Sequence, residues 1–566
     1  MADGKASSHL HRFLLPFESA IQMLTLRVWV GLSLLLTTAL GSPLDEVDSV
    51  LQKRGGVVGT GYASYQGVVT YGDVTSYLGV PYAEPPLGDL RFRAPKPLDV
   101  ARVARETGGK VVDATQYPNF CVQGPLFRGD RAGAGSEDCL KVNIYTPSGA
   151  SAGSNLPVLF YIHGGGYIFG NPATLPYDPW VHQSQQVVIV SVYYRLATFG
   201  FLSHPDFASG TIADHNVGFL DQVQALKWVK NYIYYFGGDP ERITIDGESA
   251  GGSSVLLHLV STGEKVFKQA ISQSLYRTPL PTPDQQKGLF DYFTSLAGCN
   301  TGNTTTTVAC LRQASLSTLA IAQDAAMGTY SGAYYQFKVV LDGKVITDYP
   351  DRLLLQGKYT QVPLITGQIA NETLATNSAG DIFAALHSYI PLATDSDIQD
   401  WINTYSSEVW SSQEERFRTI TGDASVRCST IVADAEKSVG AWTYKWVTPV
   451  PGSPFAEHAT ENWYQFLGWN LGLNGTATYQ NQTAAERAFA EETIAYWLSF
   501  VRSGDPNKYK LSRSPNWPKY TTFSPSRILL AQSNDTTKSQ SSVELIPIRE
   551  ILRCALLGGR SDITQA

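Results

Sequence analysis

Ile243-Thr-Ile-Asp246 runs straight into Gly247-Glu-Ser-Ala-Gly251, and Ser253 to Val260 follows with helical character. The first four residues are short, β-branched and bounded by turn signals, so they read as a buried strand. A strand that turns sharply into a helix needs glycines where side chains would collide. The same turn pushes the central serine, Ser249, out at the carboxyl edge of a sheet. The helix start adds free N–H groups beside that hydroxyl. Gly-x-Ser-x-Gly alone is common by chance; the strand before it and the helix after it make it informative.

Working outward, the same alternation continues in both directions. Pro157 to Ile162 and Val187 to Tyr194 read as buried strands, with Val362 to Thr366 and Ala441 to Val447 as later ones. Leu220, Val223, Leu226 and Val229 mark one face of a helix ending near Gly237-Gly238. Strands alternating with helices imply a large, mostly parallel central sheet flanked by helices, an α/β fold with right-handed crossovers. Thr301 to Thr307 and Ser533 to Ser542 read as surface loops. No repeat, linker or composition break divides the chain after Gly55, so 55–566 is expected to be a single domain.

The preceding residues read as processing signals. Val28 to Leu40 is an apolar run of 13 residues, preceded by Arg27 and followed by the small-residue pair Ala39 and Gly41. It is short for a bilayer span of ~20 residues, so 1–41 reads as a secretory signal region, with Met23 as an alternative start. An uncleaved anchor is the alternative reading. Residues 42–54 then form a short propeptide ending at the dibasic Lys53-Arg54, unless that pair is simply exposed and uncut. Sequons at Asn303, Asn474, Asn481 and Asn534 are glycosylation candidates. The six cysteines are even in number; Cys121/Cys139 and Cys299/Cys310 lie close enough to close small loops in an oxidising compartment, whereas spacing does not decide whether Cys428 and Cys554 pair. A secreted, extracellular protein is expected, without a stable membrane span in its mature form. The formal net charge of -7 and the lack of a basic run interleaved with aromatics argue against nucleic acid as a partner.

His163-Gly-Gly-Gly-Tyr167 follows the strand Pro157 to Ile162. Without β-carbons this backbone can approach a carbonyl, and the N–H groups of Gly165 and Gly166, with that of Ala250, would form an oxyanion hole. Each such donor is worth roughly 3 kcal/mol.

The ordered set of motifs resembles the type-B carboxylesterase/lipase family, which includes cholinesterase-like and fungal lipase-like α/β hydrolases. The matching segments include Leu78-Gly-Val-Pro-Tyr-Ala-Glu-Pro-Pro86, Leu90-Arg-Phe92, Glu137-Asp-Cys-Leu-Lys-Val-Asn143, His163 to Tyr167 and Tyr194-Arg-Leu196. They continue through Asn216-Val-Gly-Phe-Leu-Asp-Gln222, Gly237-Gly-Asp-Pro240, Gly247 to Gly252, Gly504-Asp-Pro-Asn507 and Asn516-Trp-Pro518. The resemblance implies the α/β-hydrolase fold, the disulfides Cys121–Cys139 and Cys299–Cys310, and a serine hydrolase needing neither metal nor organic cofactor. It also implies a supporting electrostatic role for Glu248.

A serine nucleophile needs a base and a group that orients it, and this fold presents them in the order Ser, acid, His. The family's acid follows a strand and a glycine by five residues, which selects Glu372 in Gly367-Gln-Ile-Ala-Asn-Glu372. Thr373 stands where relatives often carry Gly and makes Asn371 a formal sequon, expected to stay unmodified so near the site. Of nine histidines, order leaves His387 and His458. His387 reads as a helix-surface residue; His458, with Glu461 three residues on, fits the family pattern. The expected reaction is two-step acyl transfer on a small-molecule ester through Ser249, His458 and Glu372. Only 17 residues separate Cys121 from Cys139, and Gly124, Gly129, Gly133 and Gly135 interrupt them. With Val122, Leu126 and Phe127 as the main apolar content, this loop is a poor amphipathic lid. Soluble or short-chain esters are therefore expected, with an acylglycerol or sterol-ester lipase as the alternative and a non-catalytic adhesion or binding relative as a remote one. The sequence leaves the oligomeric state open.

Overall fold

The structure, a computed structural model, describes residues 54–126, 133–277, 279–375, 381–406, 410–436 and 439–566. The expected signal region 1–41, the 42–54 segment up to Lys53, and Phe127 and Gly129 of the first cysteine loop lie outside the described residues.

An antiparallel ribbon comes first: β1 (Arg54–Gly59), β2 (Ser64–Tyr71) and β3 (Val74–Pro81), with short β4 (Val111–Asp113) beside β2. β5 (Lys141–Pro147) joins the ribbon to the main body. The main body holds β6 (Leu156–Ile162), β7 (Val188–Val192), β8 (Gly238–Glu248), β9 (Gln269–Gln273), β10 (Leu364–Ile369) and β11 (Ala441–Trp446). β12 (Trp469–Leu471) and β13 (Ala477–Tyr479) form a separate hairpin, and β14 (Ser526–Leu530) and β15 (Ser542–Leu545) complete the far edge. The sheet order is β1-β2-β3-β5-β7-β6-β8-β9-β10-β11-β14-β15. Every pairing from β7 to β14 along that order is parallel, as the alternation of strands and helices implied.

Both faces of the central parallel strands are buried, which explains their near-continuous apolar runs. On β6, Val158, Phe160 and Ile162 join one core while Leu159 and Tyr161 join another on the opposite face. Helices Val217–Tyr232 and Ala250–Val260 pack into the first core, and helix Ala484–Ser503 supplies Trp497 and Phe500 to the second. Burying each such side chain contributes about 1.5–3 kcal/mol.

On the helix Val217–Tyr232, Leu226 and Val229 of the expected apolar stripe lie in the core and Val223 packs against it, while Leu220 is only partly buried. Two polar residues are buried on the same helix with partners: Asp221 pairs with Arg195 at 2.7 Å and Gln222 donates to Ser254 at 3.1 Å. Two local expectations need correction. Thr301 to Thr307 is not all loop: a helix spans Thr304–Gln313, begun by the Asn303 side chain accepting the N–H of Thr306. β8 starts five residues earlier than Ile243, and β10 runs past Thr366 because Gly367 pairs on both sides, with Gln273 and Tyr444.

Cys121 bonds Cys139, Cys299 bonds Cys310, and Cys428 bonds Cys554, the pairing that spacing left open.

Candidate active site

Four parallel strands deliver the chemistry to one edge of the sheet. Ser249 follows the last residue of β8, Glu372 lies three residues beyond β10, His458 lies beyond β11, and the glycine run Gly164 to Gly166 follows β6. Ligands in open α/β sheets bind at this carboxyl edge.

Ser249 holds φ 59°, ψ -120°, a strained conformation for a residue with a side chain. The glycines on either side make the turn possible. A β-carbon on Gly251 would stand 2.0 Å from the Ile162 carbonyl oxygen, and one on Gly247 would stand 2.4 Å from the Gly251 carbonyl carbon. The helix start therefore lies directly against β6, with the serine hydroxyl left facing a cleft.

From that hydroxyl a row of hydrogen bonds leads inward. Ser249 Oγ lies 2.8 Å from His458 Nε2, and His458 Nδ1 lies 2.8 Å from Glu372 Oε2. Glu372 is fully buried, and its other oxygen accepts the N–H of Ile369 at 2.8 Å. The loops carrying acid and histidine are tied directly, since Asn371 N–H donates to the Ala456 carbonyl at 3.1 Å. Such a row can take the serine proton onto the imidazole as the oxygen attacks a carbonyl, with the carboxylate holding the ring tautomer.

A second carboxylate stands beside the row. Glu248 Oε1 lies 3.4 Å from His458 Nε2, and Asn462 Nδ2 donates to Glu248 Oε2 at 3.4 Å. Burial pushes the Glu248 carboxyl up to about 7, against the pull of His458. For His458, burial opposes the charged ring, but Glu248 and Glu372 outweigh it and push the imidazole up to about 9. Glu461, also fully buried, accepts the Ser274 hydroxyl at 3.4 Å, and desolvation raises it well above the carboxylate range.

The glycine run completes the edge. Gly165 and Gly166 have φ of 104° and 63°, and a β-carbon on Gly165 would stand 2.1 Å from the Phe169 carbonyl oxygen. Among the described residues, no hydrogen bond uses the N–H of Gly165, Gly166 or Ala250. His163 anchors the run: its ring stacks on Tyr194 with centroids 4.4 Å apart, and burial lowers it to about 4, so it stays neutral. These features border a cleft of about 830 Å³, whose walls include Ile168, Phe169, Tyr276, Tyr335 and Tyr389. Among the described residues, no group of three or more His, Cys, Asp or Glu is arranged to hold a metal ion.

The family model described as the carboxylesterase family matches residues 47–545. The chain belongs to the carboxylesterase family. Among curated relatives, an acetylcholinesterase of Bungarus fasciatus is 30% identical, covering 88% of this chain and 85% of its own. Secreted lipase 1 of Botryotinia fuckeliana (strain B05.10) is also 30% identical, covering 86% and 92%. The crystal structure of Aspergillus niger EstA superposes with a TM-score of 0.78 at 28% identity, over 90% of this chain and 99% of that one. This carboxylesterase is thus an α/β-hydrolase-fold serine carboxylic ester hydrolase.

Several family motifs outside the site acquire structural reasons. Arg91 pairs with Glu137 at 2.6 Å, Asn216 bonds both backbone groups of Val340, and Asn507 bonds both backbone groups of Trp517. His387, the rejected histidine, sits half-exposed on helix Ile382–Tyr389 with Asp395 at 2.9 Å. Asn303, Asn474, Asn481 and Asn534 are all exposed, whereas Asn371 is half-buried and the hydroxyl of its Thr373 contacts Thr421 at 2.7 Å. Sequence reasoning passed over Asn462, Ser274 and Lys338. A lone lysine inside the apolar run Phe337 to Leu341 was the available signal for the last.

Proposed function

We propose that this carboxylesterase works through Ser249 as nucleophile, His458 as general base and Glu372 as the residue that orients it. The observation that supports this most is the unbroken row of two 2.8 Å hydrogen bonds from Ser249 through His458 to Glu372. Ser249 Oγ attacks the ester carbonyl as His458 takes its proton. The oxyanion is received by the N–H groups of Gly165, Gly166 and Ala250. His458 then protonates the leaving alcohol, and water, deprotonated by the same ring, hydrolyses the acyl-serine. We further propose a secreted enzyme with its leader removed and Lys53-Arg54 cut; three disulfides and a secreted relative support this.

Soluble or short-chain esters remain the preferred substrates. The described residues between Cys121 and Cys139 form no helix, and Pro125 and Leu126 lie along the cleft wall. One observation favours a lipase as second reading: the β12–β13 hairpin, whose Trp469 and Leu471 border the cleft, exposes Leu471 and Leu473.

A fluorophosphonate and a panel of esters graded in acyl length, applied to the wild type and Ser249→Ala, test the assignment. The phosphonyl group is expected on the peptide containing Ser249, and the variant is expected to lose on the order of 10⁶ in kcat. Labelling elsewhere, or a folded variant keeping a tenth of the rate, would reject it. A triglyceride titrated through its solubility limit separates the readings, since a sharp rise once droplets form would favour the lipase.

A further inference from the structure

One cation lines the cleft without an obvious reason to be there. Lys338 is 6% exposed and shares the cleft wall with Ser249 and His458. It is the only lysine or arginine among the described residues bordering that space. Among the described residues no carboxylate forms an ion pair with it and no side-chain hydrogen bond reaches its ammonium group. The face of Tyr276 lies near it, with the ring centroid 5.9 Å from Nζ. Tyr276 in turn adjoins the nucleophile, its N–H donating to the Ser249 carbonyl at 3.4 Å.

The backbone that presents Lys338 is held from two sides. Val340 exchanges hydrogen bonds with the Asn216 side chain at 2.9 and 3.0 Å, and the Gln336 carbonyl accepts from Gln286 at 3.3 Å. The backbone on either side of the lysine is therefore fixed before a ligand arrives. An ammonium group largely withdrawn from water and left unpaired is costly, and an arriving anion recovers part of that cost. Consistent with this, burial lowers the Lys338 amine to about 7. Glu248, the only carboxylate among the described residues bordering the cleft, is engaged with His458 and would repel an anion placed beside the serine.

We propose that Lys338 is a specificity-determining residue that binds a carboxylate carried by the ester substrate, so that the natural substrates include half-esters or esters of acid-bearing alcohols. The proposal rests on Ser249 turning over esters in this cleft, and it deepens that reading by naming the substrate class. A carboxylate bound away from the reacting carbon is held alike in ground and transition states. Its contribution therefore falls in KM more than in kcat.

The test compares matched esters on the wild type and Lys338→Met, a near-isosteric uncharged variant. Mono-4-nitrophenyl glutarate is set against 4-nitrophenyl pentanoate, placing the charge on the acyl side. 4-Carboxyphenyl pentanoate is set against phenyl pentanoate, placing it on the alcohol side. The measured quantity is the ratio of kcat/KM for the charged over the neutral ester, in which any general loss of activity cancels. The substitution is expected to lower that ratio about tenfold or more, through KM, for at least one pair, and the pair affected identifies the side. Ratios unchanged within about twofold for both pairs would overturn the proposal while leaving the esterase reading intact. Independently of turnover, calorimetric binding of 5-oxohexanoate, the ketone counterpart of a glutarate half-ester, is compared with that of 2-hexanone. Preference for the anion in the wild type, lost in Lys338→Met, supports the assignment; equal affinities overturn it even if no ester is hydrolysed.

Discussion

His458 stands among carboxylates, with Glu372 at 2.8 Å, Glu248 at 3.4 Å and Glu461 three residues on. A base must be neutral to accept a proton, and these charges push the imidazole up to about 9 despite its burial. The acid limb of the kcat/KM profile is accordingly expected above the ordinary histidine value of about 6.5. Glu248→Gln removes a carboxylate whose charge raises His458, so the limb should move to lower pH. A shift to higher pH, or none, would show that Glu248 does not act on the base. His458→Ala should match the loss of Ser249→Ala, since groups acting as one unit are not additive, while His387→Ala should leave kcat close to the wild type. Reversed effects would transfer the role to His387. That Ser249, His458 and Glu372 would meet in one row was readable from motif and chain order because short local patterns mark them. The placing of Lys338, Asn462 and Ser274 near that row was not, because segments distant in sequence bring them there.

At the scale of elements, the turn between β8 and the helix Ala250–Val260 concentrates the constraint. The helix start approaches β6 so closely that Gly251→Ala would drive a methyl group to 2.0 Å from the Ile162 carbonyl oxygen. Backbone cannot rotate away as a flexible side chain would, so a destabilisation of about 3 kcal/mol is expected, at the upper end of overpacking costs. Urea unfolding measures it, and a midpoint equal to that of the wild type would contradict the contact. Five strands, β6, β7, β8, β10 and β11, were legible because each carries a short apolar run, whereas β1–β5, β9 and β12–β15 were not anticipated. Boundaries were less legible: the strand was expected from Ile243, yet β8 begins at Gly238, and the Glu241 N–H within it bonds the Asp239 side chain at 2.9 Å. The threonine run at 301–307 failed as a loop because Asn303, one polar side chain, is enough to start a helix.

Across the whole molecule, the carboxyl edge of the sheet is roofed by a helical layer with its own small core. Leu386, Ile390, Trp401, Cys428, Cys554 and Leu557 pack together there, while Ala384 and Tyr389 of the same layer border the cleft. Cys428–Cys554 ties this layer to the helix Ile548–Gly558 and closes a loop with a sequence separation of 126. In the chain-entropy model such a loop is worth about 5 kcal/mol, against about 3 for a loop the size of Cys299–Cys310. Replacing Cys428 and Cys554 by Ser should therefore lower the guanidinium midpoint more than the same change at Cys299 and Cys310. The opposite ranking would mean that the layer is held by packing alone.

The same bridge makes a covalent ring of everything between Cys428 and Cys554, and His458 lies inside it. A protease that severs one peptide bond in this stretch opens the ring but frees no fragment. Such a nicked molecule would migrate as one full-length band on a gel run without reductant and fall into two pieces once thiol is added. A preparation that loses activity on storage while its non-reduced band stays unchanged could be carrying a cut beside its own histidine.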